Sequence, residues 1–579
     1  MPSELSRSDR EALLGGLVED TLQALDGALD EDRSSPRPAE GDTSSGGEED
    51  SEDATITDAP AETGEERGTP ERATTNLLDR LLYKGVLPRY AFPTDVVSFY
   101  VFDRDRSTRF RPEYRYAPSQ GLPTALTQYA PGKRVWIDGK EWRSGALYSP
   151  MFEDRIRAWR ERRLYFECAN CRYATTTGQE EAERGEIRDC PACGSEQLGP
   201  AKNWMRPPGF AHPHSWQEET SVDDQPALSY ATRAKLMAAG PSDEHGWRPV
   251  TDGIRTHYAR TQLLVTNTGP RDEGYDYCTL CGLTGPTAIA VGFGASNHPK
   301  PVPNDREPNC PGAVTRGLVL GTDFISDVLL IRLAVAAPIT LRPGALATDV
   351  ALRTLAEAVT LAATKRLQID GGELQAEYRP ALTQGGRAGL EAEIYVYDTL
   401  AGGAGFARRV ADLGAGVFED AIRLLEHCPG QCDRSCYRCL RSFKNRFEHG
   451  LLDRHLGASL LRYLVRGEEP TLDRRRIEQA VDRLQADLSR QGLDGLEFLL
   501  RETIELPGLG ELDAPILARA DGREMIIGVH GPLTPDHPSD ERLLAAKEFG
   551  TTIPVLLVDE IVISHNLPAA SKSVIDAFT

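Results

Sequence analysis

The spacing of apolar residues predicts strands and helices in alternation along most of the chain. A β-branched and aromatic run at 94–102 and a second at 317–335 predict strands. Apolar residues at helical spacing from Ala345 to Leu367 predict a long amphipathic helix. Near the C terminus, strand-like runs flank a predicted helix at 541–549. The pattern predicts an α/β (α+β mixed) multi-domain fold.

A hairpin is predicted around Asp138-Gly139, because this dipeptide between two short strand-like runs favours a tight two-residue turn. Cations and tryptophans alternate along the two runs, namely Lys133, Arg134, Trp136, Lys140, Trp142 and Arg143. Such interleaving suits phosphates and exposed bases. An ordinary sheet with one solvated face explains the same pattern.

Composition changes along the chain, which has 579 residues, predict six regions. The stretch from 30 to 71 is acidic and almost without apolar residues, so we expect it to be disordered. The predicted regions are an N-terminal helix with this acidic tether (1–74), a small β-rich domain (75–150), a zinc-ribbon region (151–230), a second zinc-knuckle and β region (231–343), a cysteine-rich zinc-binding domain (344–467) and a C-terminal α/β domain (468–579).

The formal net charge of −22 argues against a surface that binds nucleic acid everywhere, so any DNA contact must be local. The chain has no apolar run long enough to span a membrane and no secretory signal pattern at Met1. We therefore expect a cytoplasmic protein with no membrane partner. In a reducing compartment, cysteines at metal-ligand spacing are usually thiolate ligands.

The first cysteine cluster consists of two Cys-x-x-Cys knuckles whose spacing lets two turns supply four thiolates to one tetrahedral zinc ion. Gly194 follows the second knuckle and suits the tight turn around the sulfurs. A closed site of this kind stabilises a small domain and performs no chemistry. The predicted ligands are Cys168, Cys171, Cys190 and Cys193.

The third knuckle, Cys278 with Cys281, supplies only two of the four ligands that a tetrahedral zinc site needs. Cys310 supplies a further thiolate, and His298 lies between it and the knuckle in a loop rich in Gly, Pro and Asn. These four residues predict a Cys3His zinc site. If water instead of His298 took the fourth position, the site would be open and potentially catalytic.

Four cysteines within a dozen residues form the last cluster: Cys428, Cys432, Cys436 and Cys439. They predict a third zinc site, with an iron–sulfur cluster as the chemical competitor. Together the three predicted sites use all eleven cysteines, which leaves no thiol for a nucleophile.

Two further basic segments lie beside these clusters. Five arginines between 155 and 163 precede the first knuckle on a predicted helix, which would give that helix one strongly basic face. Next to the last cluster, cations alternate with aromatic residues, and we predict nucleic-acid contacts there. The alternative is that these side chains pack around the metal or face water. The predicted contacts are Arg434, Tyr437, Arg438, Arg441, Phe443, Lys444 and Arg446.

Two other motifs carry weaker signals. Gly402, Gly403 and Gly405 predict a strand-to-helix turn, which we interpret as close packing, with a bound phosphate as the minor alternative. Asp513 and the strand at 526–530 are similar to the strand pair of a restriction-type nuclease, but the acid-x-Lys triplet is absent.

The segment from Ile394 to Arg454, with its strand, glycine turn and four cysteines, resembles the zinc-binding domain of MrfA-like helicases. The wider chain, from the segment LLYKGVLPRYAFPTDVVSFY through the knuckles, resembles the DrmB family of the DISARM anti-phage system. This resemblance implies zinc at the last cluster and a complex with a DrmA-like helicase on phage DNA, beside a DNA methyltransferase.

No Walker lysine, metallohydrolase constellation or nucleophile elbow appears in the sequence. We therefore predict a protein that is no enzyme: a zinc-binding accessory subunit of a helicase complex that binds DNA in anti-phage defence. The alternatives are a cryptic metal-dependent nuclease and a structural scaffold between helicase and methyltransferase.

Overall fold

The computed structural model describes residues 95–108, 111–216, 231–237, 246–287, 297–303, 306–379, 389–470, 473–492, 495–520, 522–535, 537–538, 540–548 and 553–578. The predicted N-terminal helix and acidic tether lie outside the described residues. The segment before Asp95, which contributes to the DrmB resemblance, also lies outside the described residues. The same is true of residue 549, the last residue of the helix predicted at 541–549.

Strands are found along the whole described part of the chain. In the first half they are β1 (Val96–Phe102), β2 (Tyr114–Tyr116), β3 (Ser119–Gly121), β4 (Arg134–Ile137), β5 (Lys140–Arg143), β6 (Ala146–Leu147), β7 (Arg163–Glu167), β8 (Ala174–Thr177), β9 (Lys202–Met205), β10 (Phe210–His212), β11 (Lys235–Leu236), β12 (Arg248–Thr251) and β13 (Ile254–Asn267). In the second half they are β14 (Tyr275–Cys278), β15 (Thr284–Pro286), β16 (His298–Pro299), β17 (Asn309–Cys310), β18 (Val314–Ala334), β19 (Leu374–Arg379), β20 (Glu391–Asp398), β21 (Glu497–Leu506), β22 (Gly510–Ala520), β23 (Arg523–His530) and β24 (Val555–Asp559).

The helices concentrate in the second half of the chain. They are α1 (Leu122–Gln128), α2 (Phe152–Arg160), α3 (Leu346–Leu367), α4 (Phe406–Asp412), α5 (Ala415–Glu426), α6 (Arg454–Arg466), α7 (Arg474–Arg490), α8 (Glu541–Glu548), α9 (Glu560–His565) and α10 (Leu567–Phe578), with short 3-10 turns at Pro270–Asp272 and Arg446–Leu451. None of the helices in the described ranges has both the length and the apolar character needed to cross a bilayer. The predicted mixed α/β class is confirmed.

An eleven-stranded sheet organises the molecule, with β18 at its centre. β18 pairs along its length with β13, in register from Ile254 opposite Leu333 to Asn267 opposite Leu320, and it also pairs with β20 and β14. β9 pairs with β18 in parallel. β7 pairs antiparallel with both β9 and β8, and β7 and β8 are the strands next to the first knuckle. Strands from three of the predicted regions therefore share one sheet, and the region boundaries stay a prediction.

Side chains of β18 alternate between the two faces of this sheet, and each face packs against its own hydrophobic core. Leu329 and Ile331 enter the core formed with α3, α5 and α6, whereas Val328 and Leu330 enter the opposite core with α1 and β1. Helix α3 is buried around most of its circumference, so it is not the one-sided amphipathic helix that the spacing predicted. Small residues such as Ala358 and Ala362 let its neighbours pack closely on several sides.

The hairpin at Asp138-Gly139 is confirmed: β4 and β5 pair antiparallel, and both turn residues have positive φ. In the C-terminal part, β21, β22, β23 and β24 form a four-stranded sheet packed against α7, α8 and α10. The strands and helix predicted there are confirmed, apart from the residue outside the described ranges.

Asp559, at the start of α9, gives the C-terminal domain a pH-dependent stability. Burial raises the pKa of its carboxyl group from the ordinary value of 3.8 to about 7, while the group accepts the Ile561 N–H at 2.8 Å. The folded state therefore holds a proton that the unfolded chain releases above about pH 4, and this stabilisation is lost as pH rises through about 7. We expect Asp559→Asn, which keeps the cap, to remove that loss.

Hydrogen exchange of the α9 amides at about pH 4 and about pH 8 measures this effect, because exchange reports local opening free energies. Asp576→Asn, at an exposed position on α10, is the control. An equal pH response in wild type and Asp559→Asn would contradict the assignment.

Candidate metal centres and nucleic-acid interface

The first cluster gathers its four predicted cysteines around one point, with all four sulfurs within 4.8 Å of one another. Sγ of Cys168 lies 3.7 Å from that of Cys193, and Sγ of Cys171 lies 3.5 Å from that of Cys190. Tetrahedral zinc with Zn–S bonds of about 2.3 Å holds sulfurs about 3.8 Å apart, so the geometry fits zinc. None of these four cysteines is in a disulfide.

Each knuckle turn is closed by a residue in the left-handed region just after its second cysteine. Gly194 donates its N–H to the Cys190 carbonyl at 2.8 Å, and Gly282 donates to Cys278 at 2.9 Å, both with positive φ. Arg172 occupies the equivalent position after Cys171 with φ of 60°. A non-glycine residue there is held by its contacts, since Arg172 donates to the Tyr378 hydroxyl at 3.0 Å.

The third knuckle forms a closed Cys3His group. β16 and β17 pair His298 directly with Cys310, and Nε2 of His298 lies 3.2 Å from Sγ of Cys281. All four residues are buried. The side-chain hydrogen bond between Cys278 and Cys281 lowers the pKa of Cys278 to about 4 and raises the pKa of Cys281. Because four ligands already surround the centre, the geometry favours the closed site over the open one.

Arg155 supports this third centre from α2. The side chain is buried, and its guanidinium donates to the carbonyls of Cys281 and Leu280, each at 2.7 Å. The expectation that Arg155 belongs to a basic solvent face is therefore wrong, because its charge fixes the knuckle backbone. Arg157 and Arg160 do point outward. The signal missed in the sequence was pairing between segments more than a hundred residues apart.

The last cluster is also complete. Sγ of Cys428 lies 3.6 Å from that of Cys432 and 3.5 Å from that of Cys436, and Cys439 closes the group. A hydrogen bond from the Cys432 backbone lowers the pKa of the Cys428 thiol to about 6. Arg454, which the sequence did not single out, donates to the carbonyls of Cys432 and Leu425 and so holds the loop on α5.

Zinc is the metal that these centres fit. Four thiolates, or three thiolates with one imidazole, in closed tetrahedral groups are the donor sets of structural zinc. Among the described residues, these three clusters are the groups of His, Cys, Asp or Glu that could hold a metal ion. The nuclease alternative therefore finds no further metal centre in that part of the chain.

The segment beside the last cluster exposes its aromatic residues. Tyr437, Phe443 and Phe447 are 70%, 74% and 58% exposed. The Arg446 guanidinium lies over the rings of Phe443 and Phe447, 4.2 and 4.4 Å from their centroids. We call Tyr437, Arg438, Phe443, Arg446 and Phe447 the basic–aromatic surface.

The other predicted contact residues of this segment have structural partners. Arg441 donates to the Ser435 hydroxyl at 2.9 Å, and Lys444 donates to the Gly371 carbonyl at 3.0 Å. Arg434 lies against the His565 ring. Burial, and secondly the nearby charge of Arg446, lower the pKa of Lys133 to about 8. Arg446 is therefore within electrostatic range of Lys133, the residue that precedes β4.

The glycine turn before α4 binds carboxylates of the chain itself. Asp398 accepts N–H bonds from Ala404, Phe406 and Ala407 at 2.7 to 3.0 Å, and Asp327 accepts from Gly405 at 3.0 Å. A phosphate would have to displace both acids. The geometry supports the packing interpretation of these glycines.

Comparison with known proteins identifies one domain and one long relative. Residues 355–440 match the family described as the MrfA Zn-binding domain. The chain is 30% identical over 530 residues to the Druantia protein DruE of Escherichia coli (strain UMEA 4076-1), an alignment that covers 87% of this chain and 27% of DruE. The chain thus spans about a quarter of the length of that relative.

Solved structures of the DUF1998 helicase MrfA also match, at low similarity. MrfA bound to DNA shares 12% identity with a TM-score of 0.29, covering 63% of this chain and 36% of that chain. MrfA bound to DNA and AMPPNP shares 11% identity with a TM-score of 0.25, covering 62% and 31%. At these values the superposition carries no argument about mechanism.

These findings correct the prediction that the chain is no enzyme. The chain contains a match to the MrfA Zn-binding domain, and it is similar to one part of the much longer DruE. The prediction rested on missing ATPase motifs, yet the chain aligns with only 27% of DruE, so that absence does not identify a non-enzymatic protein. The resemblance to the MrfA zinc-binding domain is confirmed, and the assignment to DrmB stays a prediction. The chain is a zinc protein that carries an MrfA Zn-binding domain and is similar over most of its length to part of DruE.

Proposed function

We propose that this chain is the zinc-stabilised, nucleic-acid-binding part of a helicase-related protein in anti-phage defence, and that it holds single-stranded DNA on the basic–aromatic surface. The observation that carries the proposal is the exposure of Tyr437, Phe443 and Phe447 beside a closed zinc centre, with Arg446 stacked on two of the rings. The domain match and the relatives support the helicase and defence context.

Single strands bind through stacking and phosphate contacts, and this surface offers both. An exposed ring stacks on a base of any sequence, which contributes about 1–3 kcal/mol per base. Arg438 and Arg446 supply local positive charge on a chain whose net charge is −22. The zinc loop fixes the backbone from which these side chains project.

The β4–β5 hairpin extends the proposed path. The charge of Arg446 acts on Lys133 beside the hairpin, and the hairpin residue Trp136 is 68% exposed. Trp142, which the sequence pattern grouped with it, is instead buried against His212, with ring centroids 5.2 Å apart. Only the outer face of the hairpin can therefore contact a strand.

Reversing one charge on this surface tests the proposal. We expect Arg446→Glu to weaken the binding of oligothymidylate by about 10-fold or more, because one phosphate contact is replaced by repulsion and two rings lose their stacked cation. The slope of log affinity against log salt should fall in magnitude by about 0.7, the value for one phosphate on a single strand. Fluorescence anisotropy across a salt series measures both quantities.

The control is Arg490→Glu, which makes the same charge change at the exposed end of α7. It should leave affinity close to wild type. Equal effects of the two variants would mean that net charge alone explains the binding. Unchanged binding by both would exclude the basic–aromatic surface as the DNA site, and a wild-type chain that binds no oligothymidylate would favour the scaffold that does not contact DNA.

The finer assignment concerns partners. We propose that the chain works with a DrmA-like helicase and with a DNA methyltransferase, on the strength of the sequence resemblance to the DrmB family. Tagged purification from the native host, with mass spectrometry of co-eluting proteins, tests this assignment. Recovery of both partners in near-equal amounts supports it, and recovery of neither argues against it.

A further inference from the structure

A cavity of about 680 Å3 lies between the first zinc centre and the segment that follows the last one. Its lining includes Cys168 and Ala169 of the first knuckle, together with Lys444, Asn445, Phe447 and Glu448. Strands β19 and β20 also contribute to the lining. We call this space the zinc-walled cavity. Its volume falls within the range of about 300–1,000 Å3 that is typical of ligand sites.

Charges inside the cavity are paired. Arg353 binds Glu377 at 2.5 Å and Glu448 at 2.9 Å, and Arg233 binds the other Glu448 oxygen at 2.5 Å. On the neighbouring wall, the Lys235 ammonium bonds to Glu167 at 2.6 Å. The interior therefore offers hydrogen-bond donors and acceptors without a large net charge.

The mouth of the cavity is more positive than its interior. Lys202 donates to the Asp272 carbonyl at 2.7 Å, and Lys444 donates to the Gly371 carbonyl at 3.0 Å. These bonds leave both ammonium charges uncancelled, because a backbone carbonyl is neutral. Arg172 also lines the cavity, but its charge is paired with Asp349 on α3 at 3.3 Å. Phosphate oxygens would find donors at this mouth.

The zinc-walled cavity opens onto the basic–aromatic surface. Phe447 belongs to both, since it lines the cavity and carries the Arg446 guanidinium on its ring. A strand stacked on Phe443 and Phe447 therefore passes directly over the mouth. A paired base cannot turn into such a space without breaking its pairing, whereas a base of a single strand turns out at lower cost.

We propose that the zinc-walled cavity receives one unstacked nucleotide of the bound single strand, with its phosphate at Lys202 and Lys444 and its base inside. The inference rests on the proposed function, because the strand must first lie on the basic–aromatic surface. It adds a base-sized site that selects single strands over duplex. The two zinc centres fix the walls, so the site is formed before the strand arrives.

Photocrosslinking with a single strand that carries an aryl diazirine on its bases tests the site in the full-length, zinc-loaded chain. Irradiation joins the modified base to any side chain in contact, and peptide mass spectrometry locates the adducts. Thr232, Lys235 and Glu448 line the cavity and are half-buried, so a base inside the cavity can reach them. We expect inner adducts on at least one of these three residues, as well as outer adducts on Phe443 or Phe447.

Ala169→Trp should remove the inner adducts and keep the outer ones. Ala169 is exposed on the cavity wall, and its N–H bond to Gln197 at 3.1 Å does not involve the side chain. The variant should lose about 10-fold in affinity for the strand, equivalent to the contacts of one base. Ala569→Trp, at an exposed position on α10, is the matched control and should behave as wild type.

A second variant, Lys202→Gln, tests the mouth without adding bulk, and it should reduce the inner adducts while retaining three zinc ions per chain. Outer adducts without inner adducts in wild type would overturn the cavity site and leave the proposed function standing. Inner adducts that persist in Ala169→Trp would also overturn it. A wild-type chain that binds no strand would overturn both proposals.

Discussion

Replacing Cys439 with serine is expected to reduce the zinc content from three ions to two per chain and to unfold the segment around the last cluster. Sγ of Cys439 lies 3.7 Å from that of Cys432 and 3.8 Å from that of Cys436. The variant therefore leaves only three thiolate ligands for the zinc ion. Zinc contributes about 10–16 kcal/mol in isolated tetrahedral sites. This binding free energy is as large as the whole free energy of unfolding of a typical domain, which is about 5–15 kcal/mol.

Metal analysis of the purified chain and limited proteolysis measure the two effects. Cleavage should begin within 428–451 and should leave the first cluster intact, because each centre lies in its own set of loops. Ser442→Ala, in the same exposed segment, is the control. Retention of three zinc ions by Cys439→Ser would refute the assignment, and iron with sulfide in wild type would identify the iron–sulfur competitor.

Replacing Arg353 with methionine is expected to lower the free energy of unfolding by about 3–5 kcal/mol, the cost of breaking a buried ion pair. Burial alone would lower the pKa of Arg353, but Glu377 and Glu448 outweigh it and raise the pKa further above its ordinary value. Burial likewise opposes ionisation of Glu377, and Arg353 nevertheless lowers the pKa of that carboxyl group. Methionine fills similar volume but leaves both carboxylates without their cation.

Arg366→Met on the same helix is the matched control. Arg366 pairs with Asp420 at 3.0 Å, but its side chain is 53% exposed, and such pairs contribute about 0–1 kcal/mol. Thermal and urea unfolding should therefore separate the two variants clearly. Similar small losses in both would mean that the Arg353 network is as weakly coupled as a surface pair.

The metal centres were predictable because their chemistry is local. Cys-x-x-Cys spacing fixes the turn that presents two sulfurs, and elimination left His298 as the partner for three remaining thiolates. The structure brings all of these residues together. The hairpin was predictable for the same reason, since Asp138 and Gly139 alone specify the turn.

Long-range pairing was not predictable. Nothing near Arg155 indicates that its guanidinium meets the carbonyls of residues 280 and 281, and so the local pattern suggested a solvent face. The zinc-walled cavity likewise combines residues from distant parts of the chain, such as Lys202, Arg353 and Phe447. The burial of helix α3 on several sides was not predictable from apolar spacing, because its alanines are compatible with burial on every side.

The central position of β18 sets the order in which this protein can assemble during synthesis. β9 ends at Met205 and pairs with β18 more than a hundred residues later, and β20 completes the arrangement at Asp398. Contacts so distant in sequence form slowly, whereas knuckles close over short loops. The emerging chain can therefore bind its first two metal ions before β18 pairs with β9 and β20. We expect the zinc supply during translation, more than the supply after it, to limit aggregation of the emerging chain.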